Sequence, residues 1–239
     1  NPARFLRLAR VVLPIAAVLC LILFAVGLYD ALVLSPIDYQ QKDSVRIMYI
    51  HVPAAWLALA VYTGIAVMSA VALVWRHPLA DLGAKAAAPI GAGFAAICLV
   101  TGSIWGLPTW GTWWVWDARL TSALLLALLY LGFIALTSAV DSPDDPRRGD
   151  HAGALLALIG ALNLPVLYFS VSWWNTLHQG ASVSPRGSAI APEMLWGLLL
   201  STAGFWAYAA AAVLTRSRRL LQLRVESEAH WPRALGSAA

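Results

Sequence analysis

Two features of this chain could do chemistry, a run of tryptophans and a pair of widely separated histidines. The stretch Trp105-Gly-Leu-Pro-Thr-Trp110-Gly-Thr-Trp113-Trp114-Val-Trp116-Asp117 gathers five of the chain's twelve tryptophans directly before a long apolar segment. Indole is costly to expose and prefers a site with one apolar and one wet side, so the run reads as a platform at a membrane surface. If it is helical, Trp110, Trp113, Trp114 and Asp117 fall at i, i+3, i+4 and i+7 and form one stripe that could hold a large flat apolar ligand. One or two tryptophans would be an ordinary aromatic belt, whereas five with an acid on the same face exceed what anchoring requires.

The elements that must position these residues are membrane helices. With 239 residues, 60% hydrophobic and 12% charged, the chain is too apolar for a soluble domain. Six segments are long enough to cross a hydrocarbon core that needs roughly 20 apolar residues, at about 11–34, 54–75, 86–105, 120–140, 152–171 and 194–214. Their continuous apolarity predicts helices, because a lipid-spanning barrel alternates polar and apolar residues. The expected fold is therefore an all-α integral membrane protein, a six-span helical bundle over 1–214 with a tail over 215–239.

Basic residues set the orientation, since Lys and Arg near span ends stay on the cytoplasmic side. One set of connections carries Arg4, Arg7, Arg10, Arg76, Lys85, Arg147, Arg148, Arg216, Arg218, Arg219, Arg224 and Arg233, and the other only Lys42, Arg46, Arg119 and Arg186. Both termini are thus expected inside and the tryptophan loop outside. The basic pI reports this asymmetry, and no nucleic-acid-binding surface is expected. The first span is too long for a signal peptide and lacks a small-residue cleavage pattern, so it is expected to be retained. Cys20 and Cys98 fall deep in predicted spans without a Cys-x-x-Cys-His arrangement, which argues for packing roles and against covalent haem attachment.

Pro53 is expected to open the second span and leave His51 at its lip. Asn163 and Pro165 lie inside the fifth span, where a proline either shapes a cavity or makes an uneventful kink. The inner connections, 76–85 and 141–151, read as solvated turns rich in proline and charge, and the tail reads either as an amphipathic interfacial helix or as disordered. Asp117 either caps the fourth span or orients the tryptophan loop, while Glu193 reads as a cap for the sixth.

Helix length sorts the histidines flanking these spans. His51 and His77 sit at opposite ends of span two, roughly 39 Å apart at 1.5 Å per residue, as do His151 and His178 across span five. Only His51 with His178 outside, or His77 with His151 inside, could share a ligand. A lone interfacial histidine is usually a polar anchor. Two beside an aromatic platform suit a haem, whose iron takes axial imidazoles from both faces while Trp110, Trp113 and Trp114 cover the macrocycle. Arg46 and Arg119 could pair with its propionates.

The segment Trp110-Gly-Thr-Trp-Trp-Val-Trp-Asp117-Ala-Arg119-Leu resembles the W-G-x-W-W-x-W-D signature of the haem-handling, WWD-domain membrane proteins. The six-span layout, with one histidine in the first outer loop and one in the last, is similar to that of the cytochrome c maturation protein C family (CcmC). The resemblance covers nearly the whole chain except the tail. It implies a subunit of the bacterial inner membrane that holds haem b non-covalently, in transit, at the periplasmic face and passes it to the chaperone CcmE. It also implies partners CcmA and CcmB, an ATP-binding-cassette assembly in which CcmA hydrolyses ATP, and a small subunit CcmD. By position, His51 and His178 would be axial ligands, Trp110, Trp113, Trp114, Trp116 and Asp117 the haem and chaperone platform, and Arg46 and Arg119 propionate contacts.

No nucleotide-binding loop, nucleophile and base pair or zinc spacing accompanies these residues, so no catalytic turnover is expected. Two other classes compete. An electron-transfer cytochrome would use His77 and His151 for a second haem, and a permease would line a central path with ionisable residues, of which the span interiors offer almost none beyond Asn163.

Overall fold

The computed structural model describes residues 2–139, 148–184 and 187–236. Of the expected turn at 141–151, residues 141–147 with Arg147 lie outside the described residues, as does Arg186. Seven α-helices follow one another: α1 (Pro2–Tyr29), α2 (Met48–Trp75), α3 (Pro78–Trp110), α4 (Ala118–Ala139), α5 (Arg148–Gly160), α6 (Asn163–Trp173) and α7 (Pro192–Gly236). They make six candidate spans, α5 and α6 together forming the fifth, and a two-residue hairpin pairs Val183–Ser184 with Gly187–Ser188. The chain is thus an all-α membrane bundle.

Small residues decide how closely the central helices approach. Ala54 and Ala58 on α2 and Ala84, Ala87, Ala88 and Ala95 on α3 are buried at the heart of the bundle, so α2 and α3 pack along most of their length. Leu57, Tyr62, Ile65, Phe94, Leu126, Tyr130, Phe133 and Phe205 complete that core. α4 and α5 close one flank. α1 packs against α7 on the other and leaves Val11, Ile15, Val18 and Ile22 exposed, the apolar face a lipid-embedded helix presents.

Four local features depart from the sequence reading. α2 begins at Met48, after a 3-10 turn at Asp43–Ile47, so His51 lies within its first turns and Pro53 inside the helix. Pro53 costs only the one backbone bond that its missing N–H would have given Tyr49. The tryptophan run is not a helical stripe, because α3 stops at Trp110 where Gly111 takes a left-handed φ of 76° and its N–H bonds the Leu107 carbonyl at 2.9 Å. The fifth span is interrupted at Ala161–Leu162. Pro165 offers no N–H to Ala161, whose carbonyl instead accepts from Leu164 N at 3.1 Å, and the buried Asn163 amide donates to the Ser122 carbonyl at 2.9 Å. Below the break α5 packs on α2 and α4; above it α6 keeps α4 but scarcely touches α2.

The fourth departure is at the end opposite the tryptophan run. Lys85 and Asp150, expected in solvated turns, sit inside α3 and α5 as an ion pair whose carboxylate side chain is only 6% exposed. Opposite charges can enter a helical bundle when they enter together. The tail is no separate element. α7 runs on past Leu214, burying Ser217 and Leu221 and placing Arg216 Nε 3.2 Å from the Ala86 carbonyl of α3.

Candidate functional site

α6 swings away from α2 and leaves a cavity of about 680 Å³, counting its open mouth, between α2 and α3 on one side and α4 and α6 on the other. Its deep half is apolar, walled by Ala58, Leu59, Ala95, Leu126 and Leu167. Its upper half brings together five of the nine residues singled out from sequence: His51, His178, Trp110, Trp114 and Arg119.

The floor lies one helical turn lower on three helices at once. Below Ala58, Leu126 and Ala95 come Tyr62, Tyr130 and Gly91. Both tyrosines are fully buried and meet edge to face at 5.0 Å, with Tyr130 Oη donating to the Ala58 carbonyl at 2.6 Å. Gly91 and Gly160 carry no Cβ where the Tyr130 and Tyr62 phenols lie against them.

His51 projects from α2 against α3. Its Nδ1 is 3.1 Å from both the Cys98 carbonyl and Thr101 Oγ1, and its ring meets Trp105 edge to face at 5.7 Å. Trp105 Nε1 in turn donates to Gln41 Oε1 at 2.8 Å, which fastens the first loop over this wall. His178 sits in the loop after α6, its ring 4.7 Å from that of Trp110. Burial first, then the Arg119 guanidinium and then His51 push its imidazole down from 6.5 to about 3, so it is neutral near pH 7. Two buried polar atoms of this wall, His178 Nδ1 and Trp114 Nε1, have no hydrogen-bond partner among the described residues. Arg119 has no carboxylate within ion-pair distance among them either.

The other four residues take different places. Asp117 caps α4, its Oδ1 accepting from Leu120 N at 2.7 Å. Trp113 and Trp116 are exposed, Trp116 to 76%, although Trp116 still meets Trp114 at 5.5 Å. Arg46 is held away from the cavity by Asp43 Oδ1 at 3.2 Å and the Ala31 carbonyl at 2.9 Å. His77 and His151 are exposed at the far end and line neither this cavity nor the small one beside Lys85 and Asp150.

Sequence reasoning missed the supports of the site. Thr101 and Gln41, and the wall that Trp105 makes beyond its place in the tryptophan run, depend on partners that no spacing rule connects. Exposed Trp173 and Trp174 extend the aromatic surface beside the mouth, a signal that was available in their adjacency. Chemically, two imidazoles, two indoles and a guanidinium around an apolar hollow suit a flat apolar ligand that carries a metal and an anionic edge.

The family described as heme exporter protein C matches residues 1–233. Heme exporter protein C of Bradyrhizobium diazoefficiens is 55% identical over 206 residues, 86% of this chain and 77% of that protein. The Escherichia coli K12 protein of the same name is 44% identical over 230 residues, covering 96% and 91%. A putative cytochrome c biosynthesis ccmC-like mitochondrial protein of Marchantia polymorpha is 42% identical over 202 residues, covering 84% and 85%. A match over nearly all of the chain, joined to a six-span bundle, places this protein in the heme exporter protein C (CcmC) family.

Proposed function

We propose that this chain is a haem-handling membrane subunit of cytochrome c maturation, a transport component with no catalytic turnover of its own. Haem b would sit non-covalently in the cavity between α2, α3, α4 and α6, with His51 and His178 as axial ligands and Trp110 and Trp114 against the macrocycle. Arg119 would take a propionate. The observation that carries this reading is that His51 and His178, 127 positions apart by number, line the same hollow. The unpartnered Trp114 Nε1 and His178 Nδ1 add polar atoms that a bound ligand can satisfy.

Trp113 and Trp116 would form the exposed surface on which the receiving chaperone, CcmE, docks, and Asp117 would hold that loop by capping α4. Arg46 would fix the first loop, with any propionate contact requiring it to leave Asp43 and Ala31. CcmA and CcmB, with CcmD, would supply the associated assembly, and ATP hydrolysis would belong to CcmA. The concentration of Arg4, Arg7, Arg10, Arg76, Arg216, Arg218 and Arg219 at the end away from the cavity supports an inner-membrane chain with both termini cytoplasmic and the site facing the periplasm.

The test is an optical spectrum of the purified chain with haem per protein quantified. Wild type should bind one haem with a six-coordinate spectrum, and His51→Ala or His178→Ala should weaken or shift it. An unchanged spectrum in both variants removes the ligand assignment. Two haems per chain, with one lost in His77→Ala, would instead identify an electron-transfer cytochrome.

A further inference from the structure

The two imidazoles facing the cavity are held very differently. At His51, both groups next to Nδ1 are acceptors. The Cys98 carbonyl can only accept, and the single hydroxyl proton of Thr101 is committed to the Ile97 carbonyl at 2.6 Å, leaving its oxygen to accept as well. Nδ1 therefore carries the proton, and the lone pair is on Nε2, which forms no hydrogen bond among the described residues. The ring also lies over Gly102, where a Cβ would come within 2.9 Å of its Cε1, and Trp105 closes its flank. His178 has the Trp110 ring beside it at 4.7 Å but no acceptor on Nδ1 among the described residues. Its segment is neither helix nor strand, and its backbone is tied only to Thr176 Oγ1 at 3.0 Å.

Resting on the haem reading above, we infer that the two axial ligands are unequal: His51 is the anchoring ligand, positioned by Thr101, the Cys98 carbonyl and Gly102, and His178 is the ligand that exchanges when haem leaves. An acceptor on the distal nitrogen fixes tautomer and ring direction and raises the basicity of the ligating nitrogen. A histidine without such an acceptor forfeits that help and detaches first. Thr101 is accordingly a positioning residue, acting on iron through His51 without touching it.

The experiment uses the full chain in detergent, titrated with iron protoporphyrin IX. His178→Ala is expected to keep haem as a five-coordinate species that added imidazole returns to six-coordinate. His51→Ala is expected to bind at least about 10-fold more weakly than His178→Ala, in line with the loss of a positioned ligand. Thr101→Val should lower haem affinity by about 10-fold and move the iron reduction potential to more positive values, because a less basic imidazole stabilises ferric iron less. Thr101→Ser, which keeps the hydroxyl, should restore both. Helical content and melting of each variant are followed alongside, and the potential reports on the iron whether or not stability changes. Equal weakening by the two histidine variants, a wild-type potential in Thr101→Val, or failure of Thr101→Ser to restore it overturns the inference. If neither histidine variant alters the spectrum, the haem reading itself has failed, which is a separate result.

Discussion

At the scale of single residues, the site depends on keeping imidazoles neutral. His178 is depressed from 6.5 to about 3, so the folded state resists a proton that the unfolded chain accepts readily. Its contribution to stability is therefore fully present above about pH 6.5 and lost as pH falls from there toward about 3. Denaturation midpoints should fall across that window in wild type and fall less in His178→Gln. Haem loaded on the chain should keep one spectrum from about pH 8 to about pH 5, since no ligand proton has to leave. His51, His178, Trp110, Trp114 and Arg119 were all legible in the sequence, because their side-chain chemistry is unusual beside a membrane. Thr101 was not, for a threonine in an apolar span normally bonds its own helix, and its second role exists only because α2 brings His51 to it.

Elements were legible in number and not in their ends. Six apolar runs gave six spans because hydrocarbon thickness sets their length, whereas helix termini answer to local backbone chemistry. Gly111 shows the difference. A glycine between tryptophans fits a helical stripe by spacing, yet its left-handed φ ends α3 there and turns the following indoles into a loop. Asp117 then restarts helical structure by capping α4. Asp117→Ala should cost about 1 kcal/mol in denaturant unfolding, and Asp117→Asn, which keeps an acceptor for Leu120 N, should recover most of it. Equal losses in both would mean that the negative charge, and not the cap, is what the loop needs. The break at Ala161–Leu162 was foreseeable from Pro165, with a cavity as one of its two readings, and the packing decides between them: α6 parts from α2 and leaves room for a ligand.

For the whole molecule, the two ends of the bundle are built on opposite principles. One end is open and aromatic; the other carries the ion pair of Lys85 and Asp150, joined across α3 and α5. Lys85→Met would leave the Asp150 carboxylate buried alone and should destabilise the protein by about 3–5 kcal/mol, while adding Asp150→Leu should return most of that in thermal melts. Sequence could not announce this pair, since 65 residues separate its members and each looked like part of a hydrophilic turn. Between the site cavity and the small hollow beside Lys85 and Asp150 lie Tyr62 and Tyr130, near the midpoint of α2. A membrane that stores energy as an ion gradient needs insulation wherever a protein admits water from one surface. Here the interlocked phenols of Tyr62 and Tyr130, seated against Gly91 and Gly160, are packed where that insulation is needed.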